Sequence, residues 1–448
     1  MTRGPAPTGS QVLAMAACSA VLLALAAYLV RFSINMPYLD EWLDTLPLAA
    51  RLQEGSLSVE DLWRSHNGHR IVFPRLILLG VAHLTRWNVR YVVSLNFLLS
   101  VGTLWVVGAV ALKTRREGHG GWAAFIVASS LLLFSFGHWR NWLNAFQVAL
   151  FMSVFFATLG ISLLSAPVLT LGRMVGAGVC GLLATGSFGN GPIYWLVGLA
   201  LLVVRRAEPK KQFSWLIVSA LVIAAYVHAL GTRVDGVGSR HPATYLTQLM
   251  IYLGRPVCTF NDSGAQLLGA IGSCAFLAMI GATLWRRQER APMALFALGM
   301  GLYSLLSGAM TVWIRPGVSP QQYTIAVPLW IANAAMLIAG DALAIAAWAR
   351  VGVRLFCLAA LPVLLNSYRD GYLYSSRQHA FLLSTRDYLV AHRAQIPTGS
   401  IVVTPELRSF FSVDAGGAIR TTDPDGYVRS KLQLAHAIDA SFLDPSAD

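Results

Sequence analysis

Two adjacent carboxylates, Asp40 and Glu41, stand directly after the first long apolar run of the chain, in the stretch INMPYLDEW. A carboxylate beside a bilayer is costly unless it is solvated, paired or used. In surroundings rich in cations, one carboxylate can act as a general base on a hydroxyl while the cations hold an anion such as phosphate. The alternative is that the two acids have no chemical role and form a solvated helix end. The cationic or titratable side chains that follow are Arg64, His66, His69, Arg70 and Arg75.

The chain that must position these residues is strongly apolar. Of its 448 residues, 56% are hydrophobic and 12% are charged, against roughly 25% charged in soluble domains. A helical membrane crossing takes about 20 residues, so the recurring apolar runs predict an all-α polytopic membrane protein. About eleven transmembrane helices are predicted, at Val12–Val30, Tyr91–Leu112, Trp122–Phe136, Val148–Leu164, Met174–Thr185, Pro192–Val204, Phe213–Leu230, Ala265–Trp285, Met293–Ile314, Tyr323–Leu343 and Val351–Leu365.

Charge patterning predicts how these helices are oriented. The net charge of +13 comes largely from short basic clusters between apolar runs, namely KTRRE at Lys113, RRAEPKK at Arg205 and WRRQER at Trp285. Such clusters mark cytoplasmic loops, so they indicate topology and not a nucleic-acid partner. With eleven spans, the N-terminus is cytoplasmic and the C-terminus lies outside. Only four of the 21 acidic residues then lie near the cytoplasm, at Glu117, Glu208, Glu289 and Asp341.

One apolar stretch, RIVFPRLILLGVAHL (Arg70–Leu84), is left out of the count, because a twelfth span would turn KTRRE outward. We expect it to form an interfacial or re-entrant helix at the outer face. It belongs to the first outer loop, residues 31–90, of a transmembrane domain comprising residues 1–366. Helices are also predicted in this loop at Leu43–Glu54 and Val59–Ser65, with Ser58 capping the second.

Residues 367–448 are predicted to form a small extracytoplasmic region. Its sequence is mixed and polar, with turns rich in Gly, Asp and Pro and one strand-like run, SIVVT (Ser400–Thr404). Its residues suggest no chemistry.

Two further outer segments combine groups that suit ligand binding. GHWRNWLNAFQ joins aromatic rings to Arg140, Asn144 and Gln147, although Trp at an interface is also a common anchor. TGSFGNGP (Thr185–Pro192) is either a nest for phosphate or a broken helix between paired spans. Without a Lys or a preceding strand it is not a P-loop.

These features together resemble the GT-C superfamily of integral-membrane glycosyltransferases. The resemblance begins with an acidic pair after the first transmembrane helix, two short outer helices, and the segment HNGHRIVFPRL leading into the second span. GLLATGSFGNGPIYWLVGLALLVVRR is similar to a stretch where a helix turns near the outer face, and SPQQYTIAVPLW resembles the late loop-to-helix segment. It is closest to a bacterial group with DEW, HNxHR and WxNxxxxFQ patterns, and it covers most of the spans but not the tail.

The resemblance implies a polyprenyl-phosphate-linked sugar as donor and a glycan, lipid or protein hydroxyl as acceptor, at the periplasmic face of a bacterial inner membrane. Asp40 is then the leading candidate for the base and Glu41 the second. A single carboxylate base suits an inverting displacement in which the lipid phosphate leaves without an acid catalyst. Outer-face arginines suited to that phosphate are Arg70, Arg75, Arg140 and Arg315. Each can instead anchor the protein at lipid headgroups.

The chain departs from the superfamily pattern at one position. Where the pattern has Arg-Tyr, this chain has Gln322 and Tyr323, so the cation expected there is missing. Either Arg315 replaces it or the donor sits differently.

His66 and His69 raise the question of a metal. They are three residues apart and would share a face if a helix continued through them, which is compatible with a metal site that includes Asp40 or Glu41. Gly68 weakens such a helix. We expect hydrogen bonding to an acceptor sugar or a carboxylate instead, with no metal and no cofactor, since monophosphate donors do not generally need a metal.

The alternative function is a polytopic transporter or a flippase for lipid-linked glycans. Such proteins tend to keep ionisable or helix-breaking positions near the bilayer midplane, whereas the middle of the predicted spans is nearly free of charge here. A non-catalytic membrane subunit whose tail binds a partner is a third interpretation.

Overall fold

The structure is a computed structural model that describes residues 9–114, 121–230, 241–285, 291–315, 323–339, 347–412, 419 and 421–445. Within these ranges the regular elements are all helices, and the only β-type pairing is a single bridge between His66 and His69. The α-helices are α1 Gly9–Phe32, α2 Leu46–Gln53, α3 Val59–Trp63, α4 Val72–Thr85, α5 Arg90–Thr114, α6 Gly121–Leu133, α7 Trp139–Trp142, α8 Val148–Leu164, α9 Leu171–Thr185, α10 Ile193–Val204, α11 Pro209–Leu230, α12 Pro242–Gly254, α13 Asp262–Trp285, α14 Pro292–Ile314, α15 Tyr323–Ala339, α16 Ala347–Ala391, α17 Pro405–Phe410 and α18 Pro424–Ala437.

Among the described residues, seven helical segments are long and apolar enough to cross a membrane, so the protein is an all-α, multi-pass membrane protein, as the apolar runs predict. Each segment overlaps a predicted span, and three further predicted spans overlap the shorter apolar helices α9, α10 and α15. The total of eleven crossings stays a prediction. The seven segments are Gln11–Phe32, Arg90–Thr114, Gly121–Trp142, Ala145–Leu164, Pro209–His228, Asp262–Ala282 and Pro292–Ile314.

The connections between helices lie at the two ends of the helix bundle. At one, named here the first-loop end, the loop between α1 and α5 meets the connection between α9 and α10, where the Phe73 amide donates to the Gly186 carbonyl at 3.2 Å. The same loop meets the end of α14 through Arg315. At the opposite end, the Arg205 side chain donates to the Leu164 carbonyl. A basic side chain thereby satisfies a free carbonyl at the end of α8.

A proline inside α15 is accommodated by the neighbouring helix. Pro328 has no amide hydrogen and interrupts the hydrogen-bond ladder of its helix. The hydroxyl of Ser304 on α14 accepts from the Leu329 amide at 3.0 Å and donates to the Ile325 carbonyl at 2.8 Å. Because a side chain from α14 re-satisfies these groups, the two helices are joined at this point.

A second hydrophobic core, distinct from that of the bundle, lies at the first-loop end. The first loop and the C-terminal residues build it together. Trp42 packs edge-on against Phe411 and Phe442, with ring centroids 4.7 and 5.5 Å apart. The side-chain amide of Asn35 donates to the Ser441 hydroxyl at 2.9 Å. The C-terminal residues are therefore packed on the first loop.

The helix α16 carries the chain into this second core. It runs without a break across the predicted domain boundary between residues 366 and 367 and ends only at Ala391. The apolar face of its last turns contributes Leu382 and Leu389 to the core.

The predicted strand at Ser400–Thr404 is wrong, because this segment has no strand partner in the part of the chain that the structure describes. Side chains bind its backbone instead: the Tyr388 hydroxyl donates to the Val402 carbonyl at 2.6 Å and Arg429 donates to the Ile401 carbonyl at 3.3 Å. The alternating pattern that suggested a strand still reflects burial of one face of the segment, since Ile401 is buried and Val402 is exposed.

Candidate active site

The acidic pair is held by an uncommon backbone. Leu39, directly before it, has φ = 50°, a left-handed conformation that is strained for a bulky side chain. Glu41–Thr45 then forms a π-helix, in which the Leu46 amide donates to the Glu41 carbonyl. The helix predicted at Leu43–Glu54 therefore begins as a π-turn. Strained residues and π-turns are both frequent at functional sites.

The π-turn brings a third carboxylate, Asp44, to the same side as Asp40. His66 lies between them, with Nε2 3.5 Å from Asp40 Oδ1 and Nδ1 3.3 Å from Asp44 Oδ1. Arg75 of α4 donates to both oxygens of Asp44, from Nε to Oδ2 at 2.8 Å and from Nη2 to Oδ1 at 2.6 Å. We name Asp40, His66, Asp44 and Arg75 the carboxylate–histidine network.

Hydrogen bonds set the charges in this network. Burial by itself raises the pKa of Asp44, but the hydrogen bonds from Arg75 and His66 outweigh it and lower that pKa to about 2. Burial also opposes a positive His66, yet its bonds to Asp40 and Asp44 raise its pKa to about 9. At neutral pH, Asp44 is therefore ionised and His66 carries a proton on each nitrogen.

Asp40 is the most accessible member of the network. Its side chain is 29% exposed, whereas those of Asp44 and Arg75 are almost completely buried. A ligand that approaches the network from solvent therefore meets the Asp40 carboxylate first.

Glu41, unlike Asp40, is buried. It is 1% exposed, and its Oε2 accepts a hydrogen bond from the Tyr38 amide at 3.0 Å. Its Oε1 makes no hydrogen bond with the described residues, and the Trp87 indole lies near the carboxyl group. Burial raises the pKa of Glu41 to about 8, partly opposed by the Tyr38 amide and reinforced by the negative charge of Asp40. At neutral pH this carboxyl group is mostly protonated.

The two histidines flank a tight turn, and no helix continues through them. His66 and His69 exchange both backbone hydrogen bonds, at 2.9 and 2.8 Å. Between them Asn67 and Gly68 have φ values of 47° and 77°, the left-handed pair that Asn-Gly favours in two-residue hairpin turns. His66 and His69 therefore share no helix face, as the weakening effect of Gly68 led us to expect, and each ring contacts a different set of partners.

His69 accepts a hydrogen bond from Arg315, which comes from the end of α14. Arg315 Nη2 lies 2.6 Å from His69 Nε2 and donates to the Asn67 carbonyl at 3.3 Å. Burial, with smaller contributions from the charges of Arg315 and His66, lowers the pKa of His69 to about 3, so the ring is neutral. Burial lowers the pKa of Arg315, and the negative charge of Asp40 partly opposes this effect.

The segment TGSFGNGP packs directly against this histidine. The rings of Phe188 and His69 are 4.5 Å apart. A Cβ on Gly189 would lie 2.1 Å from His69 Nδ1, so only glycine fits there. This close packing favours the interpretation of the segment as a broken helix between α9 and α10.

Asn144, Gln147 and Arg70 lie beside the network. The Asn144 side chain accepts from the Phe146 amide at 3.0 Å and so fixes the local turn. The Phe146 ring is 4.9 Å from the His66 ring, and Gln147 follows it, buried, with no side-chain hydrogen bond to any described residue. Arg70 donates from its side chain to the Trp63 carbonyl.

The remaining predicted site residues either lie apart from the carboxylate–histidine network or are not among the residues that the structure describes. Arg140 is exposed and stands over the Trp139 ring, 5.1 Å from its centroid. Gln322 lies outside the described residues, and Tyr323 is described only as the first residue of α15.

In the described part of the chain, no group of three or more His, Cys, Asp or Glu residues is arranged to hold a metal ion. Both nitrogens of His66 face carboxylates, and His69 Nε2 accepts from Arg315. What the arrangement offers instead is the accessible carboxylate of Asp40 beside His66, with Arg315 near it and Arg75 bound to the neighbouring Asp44.

Sequence reasoning missed Asp44, which binds both His66 and Arg75. The signal was present in DEWLD, since a third acid four residues after Asp40 falls on the same side of a helical turn. The sequence also did not predict the contact between Phe146 and His66, because no pattern near either residue indicates it.

Comparison of the chain with protein-family models, with curated proteins and with solved structures found no match to any of them.

Proposed function

We propose that the protein is an inverting glycosyltransferase of the GT-C type with eleven membrane crossings. In this proposal it transfers a sugar from a polyprenyl-phosphate donor to a hydroxyl of a cell-envelope glycan, lipid or protein. The first-loop end is the periplasmic side of a bacterial inner membrane, and the N-terminus is cytoplasmic.

The accessible carboxylate of Asp40 is the observation that carries the proposal. It is 29% exposed, while Glu41 next to it is 1% exposed and has a pKa raised by burial to about 8. The environment thus separates two adjacent acids into one that a hydroxyl can approach and one that is buried and protonated. This supports Asp40, rather than Glu41, as the base.

The reaction needs one proton transfer and one displacement. Asp40 takes the proton of the acceptor hydroxyl while that oxygen bonds to the anomeric carbon. The bond from the anomeric carbon to the phosphate oxygen breaks, and its electron pair leaves with the lipid phosphate. His66 and Arg315 are the cations close to Asp40 that can stabilise the phosphate.

The buried polar groups beside the first-loop end favour this proposal over transport. Ser153 of α8 and Tyr303 of α14 bond to each other and to Asn190 of the connection between α9 and α10, with Asn190 Nδ2 2.7 Å from the Tyr303 hydroxyl. They are uncharged and mutually satisfied, whereas a path for ions or charged headgroups usually carries ionisable side chains.

The test is sugar transfer by purified protein in lipid nanodiscs, supplied with a panel of polyprenyl-phosphate sugars and candidate acceptors. Asp40→Asn should lower turnover by at least about 100-fold, because it removes the base. Glu41→Gln should stay within a few-fold of wild type at pH 7, since Gln resembles the protonated carboxyl.

Glu60→Gln is the matched control, because Glu60 is an exposed acid of the same loop. Its activity should equal that of wild type, with and without a chelator. The proposal fails if no donor is consumed, or if Asp40→Asn remains as active as the control. A response of a lipid-flipping assay to Asp40→Asn, without sugar transfer, would favour the flippase instead.

A further inference from the structure

We propose that a surface ladder of two exposed arginines and two aromatic rings binds the phosphate headgroups of anionic phospholipids. The ladder consists of Arg140, Trp139, Tyr374 and Arg377 and joins α7 to α16. It has no part in the carboxylate–histidine network, so the proposal stands independently of the proposed reaction.

The geometry of the ladder is regular. The Trp139 and Tyr374 rings are stacked, with centroids 5.7 Å apart and planes 3° apart. Arg140 stands over Trp139 at 5.1 Å from the ring centroid, and Arg377 stands over Tyr374 at 5.8 Å. Guanidinium groups over aromatic faces are held by cation–π attraction while their N–H groups stay available.

The backbone beneath the ladder is tightly packed, which keeps the two helices in register. A Cβ on Gly371 would lie 2.0 Å from the Phe136 carbonyl oxygen, so only glycine allows this approach. One turn earlier, the Tyr368 hydroxyl donates to the Leu131 carbonyl at 2.7 Å. The stacked rings therefore sit on a fixed support.

The ladder lies where the most exposed apolar surface gives way to aromatic and basic side chains, since Leu373 and Leu383 of α16 are less exposed, at 46% and 39%. On α16, Leu358 and Leu365 are 66% and 52% exposed, and Tyr374 and Arg377 follow in the next turns. On α1, Val30 is 83% exposed and Arg31 follows it. Aromatic and basic side chains at such a boundary lie at the level of lipid headgroups.

The charge of the ladder is not neutralised by a direct ion pair. Neither Arg140 nor Arg377 forms an ion pair with any residue that the structure describes. The acid on the same face of α16, Asp370, accepts a hydrogen bond from Thr259 at 3.3 Å, and its charge acts on Arg377 only at longer range. Two fixed cations at headgroup level complement a lipid with a net negative charge better than a zwitterionic one.

The experiment titrates the detergent-purified full chain with phosphatidylglycerol and with phosphatidylcholine and counts bound lipids by native mass spectrometry. Wild type should bind phosphatidylglycerol preferentially. The double change Arg140→Gln and Arg377→Gln should weaken phosphatidylglycerol binding at least about tenfold and leave phosphatidylcholine binding unchanged, since each Arg near an anionic surface contributes roughly fivefold.

The matched control changes two cations of the tail, Arg393→Gln and Lys431→Gln; Lys431 also stands over an aromatic ring, that of Tyr427. It should bind phosphatidylglycerol as wild type does. Tyr374→Leu removes the ring stack and keeps both charges, so it should cause an intermediate loss of phosphatidylglycerol binding. It replaces the double variant in the test if the double variant does not fold. Equal binding of the two lipids by wild type, or equal losses in the ladder and control variants, would overturn the proposal.

Discussion

Asp44 connects the charged residues of the site, since it receives two hydrogen bonds from Arg75 and faces His66. Arg75 is 1% exposed, and it also donates to the Leu62 carbonyl at 2.8 Å. A buried cation of this kind depends on its carboxylate, because removal of one partner leaves an uncompensated charge.

Asp44→Asn should therefore destabilise the protein by about 3–5 kcal/mol. The measurement is the unfolding temperature in detergent at pH 7, with Glu60→Gln as the exposed control. A shift no larger than that of the control would mean that Arg75 finds sufficient partners in the backbone carbonyls.

Glu41 makes the stability of the protein depend on pH. Its pKa is raised from an ordinary 4.5 to about 8 by burial, so the folded state binds more protons than the unfolded state between these values. The contribution of the protonated group is fully present below pH 4.5 and is lost as the pH rises toward 8, by about 1.4 kcal/mol per pH unit.

Glu41→Gln cannot ionise and should remove this loss. The difference between the unfolding temperatures of the variant and wild type should grow in favour of the variant from pH 5 to pH 8.5. His66 and Asp44 are common to both proteins, so their titrations cancel in the difference. A difference that is constant across this range would contradict a raised pKa of Glu41.

At the scale of elements, two turns meet at His69. One is the Asn-Gly turn that pairs His66 with His69, and the other is the connection between α9 and α10, which passes so close that a Cβ on Gly189 would overlap the ring. Through His69, this contact also supports Arg315 of α14.

Gly189→Ala should push the His69 ring away and weaken its bond to Arg315. Overpacking of this kind costs about 1–3 kcal/mol. Gly178→Ala is the matched control, since a Cβ there meets nothing within 4 Å and Ala is the better helix former. Both variants would be compared with wild type by thermal unfolding and by hydrogen exchange of the amides at residues 66–69. Amide protection in Gly189→Ala equal to that of wild type would refute the close contact between Gly189 and His69.

At the scale of the whole molecule, the C-terminal residues cover the side of the first loop that carries the acidic pair. Trp42, the residue after Glu41, packs on Phe411 and Phe442, and Arg86 pairs with Asp439 at 2.7 Å. The π-turn that presents Asp40 is thus supported from the far end of the chain.

Phe442→Ala should destabilise the second core by about 3–5 kcal/mol, since Phe442 is fully buried. Because the lost ring packs on Trp42, hydrogen exchange of the amides at residues 41–46 should accelerate. Val402→Ala, at a residue 63% exposed, is the control and should change neither quantity. If exchange accelerates only in the C-terminal residues, the π-turn does not depend on the packing of Phe442 against Trp42.

Local sequence patterns predicted most of the helices but not every element. Apolar runs predicted the helical membrane fold, because a bilayer requires each crossing to satisfy its own backbone. Ser58 was predicted as a helix cap, and this is confirmed by a reciprocal capping box with Asp61. The strand at Ser400–Thr404 was predicted wrongly, because alternation of apolar residues reports burial of one face and says nothing about a partner strand.

Residue types alone identified Asp40, Glu41, His66 and Arg75 as neighbours in the chain that suit acid–base and anion chemistry. Their different environments depend on groups distant in sequence. The carboxyl of Glu41 is buried beside Trp87, and the His69 ring meets Arg315 across 246 positions. No spacing within the first loop carries that information.

The sequence by itself determined that this chain is a multi-pass helical membrane protein with an acidic pair after its first long helix, since hydropathy and residue type are local properties. Only the tertiary structure decided that Asp40 is open and Glu41 is buried and protonated, that Asp44 joins His66 to Arg75, and that the C-terminal residues support the loop. Burial and charge pairing depend on distance in space, and side chains far apart along the chain set both.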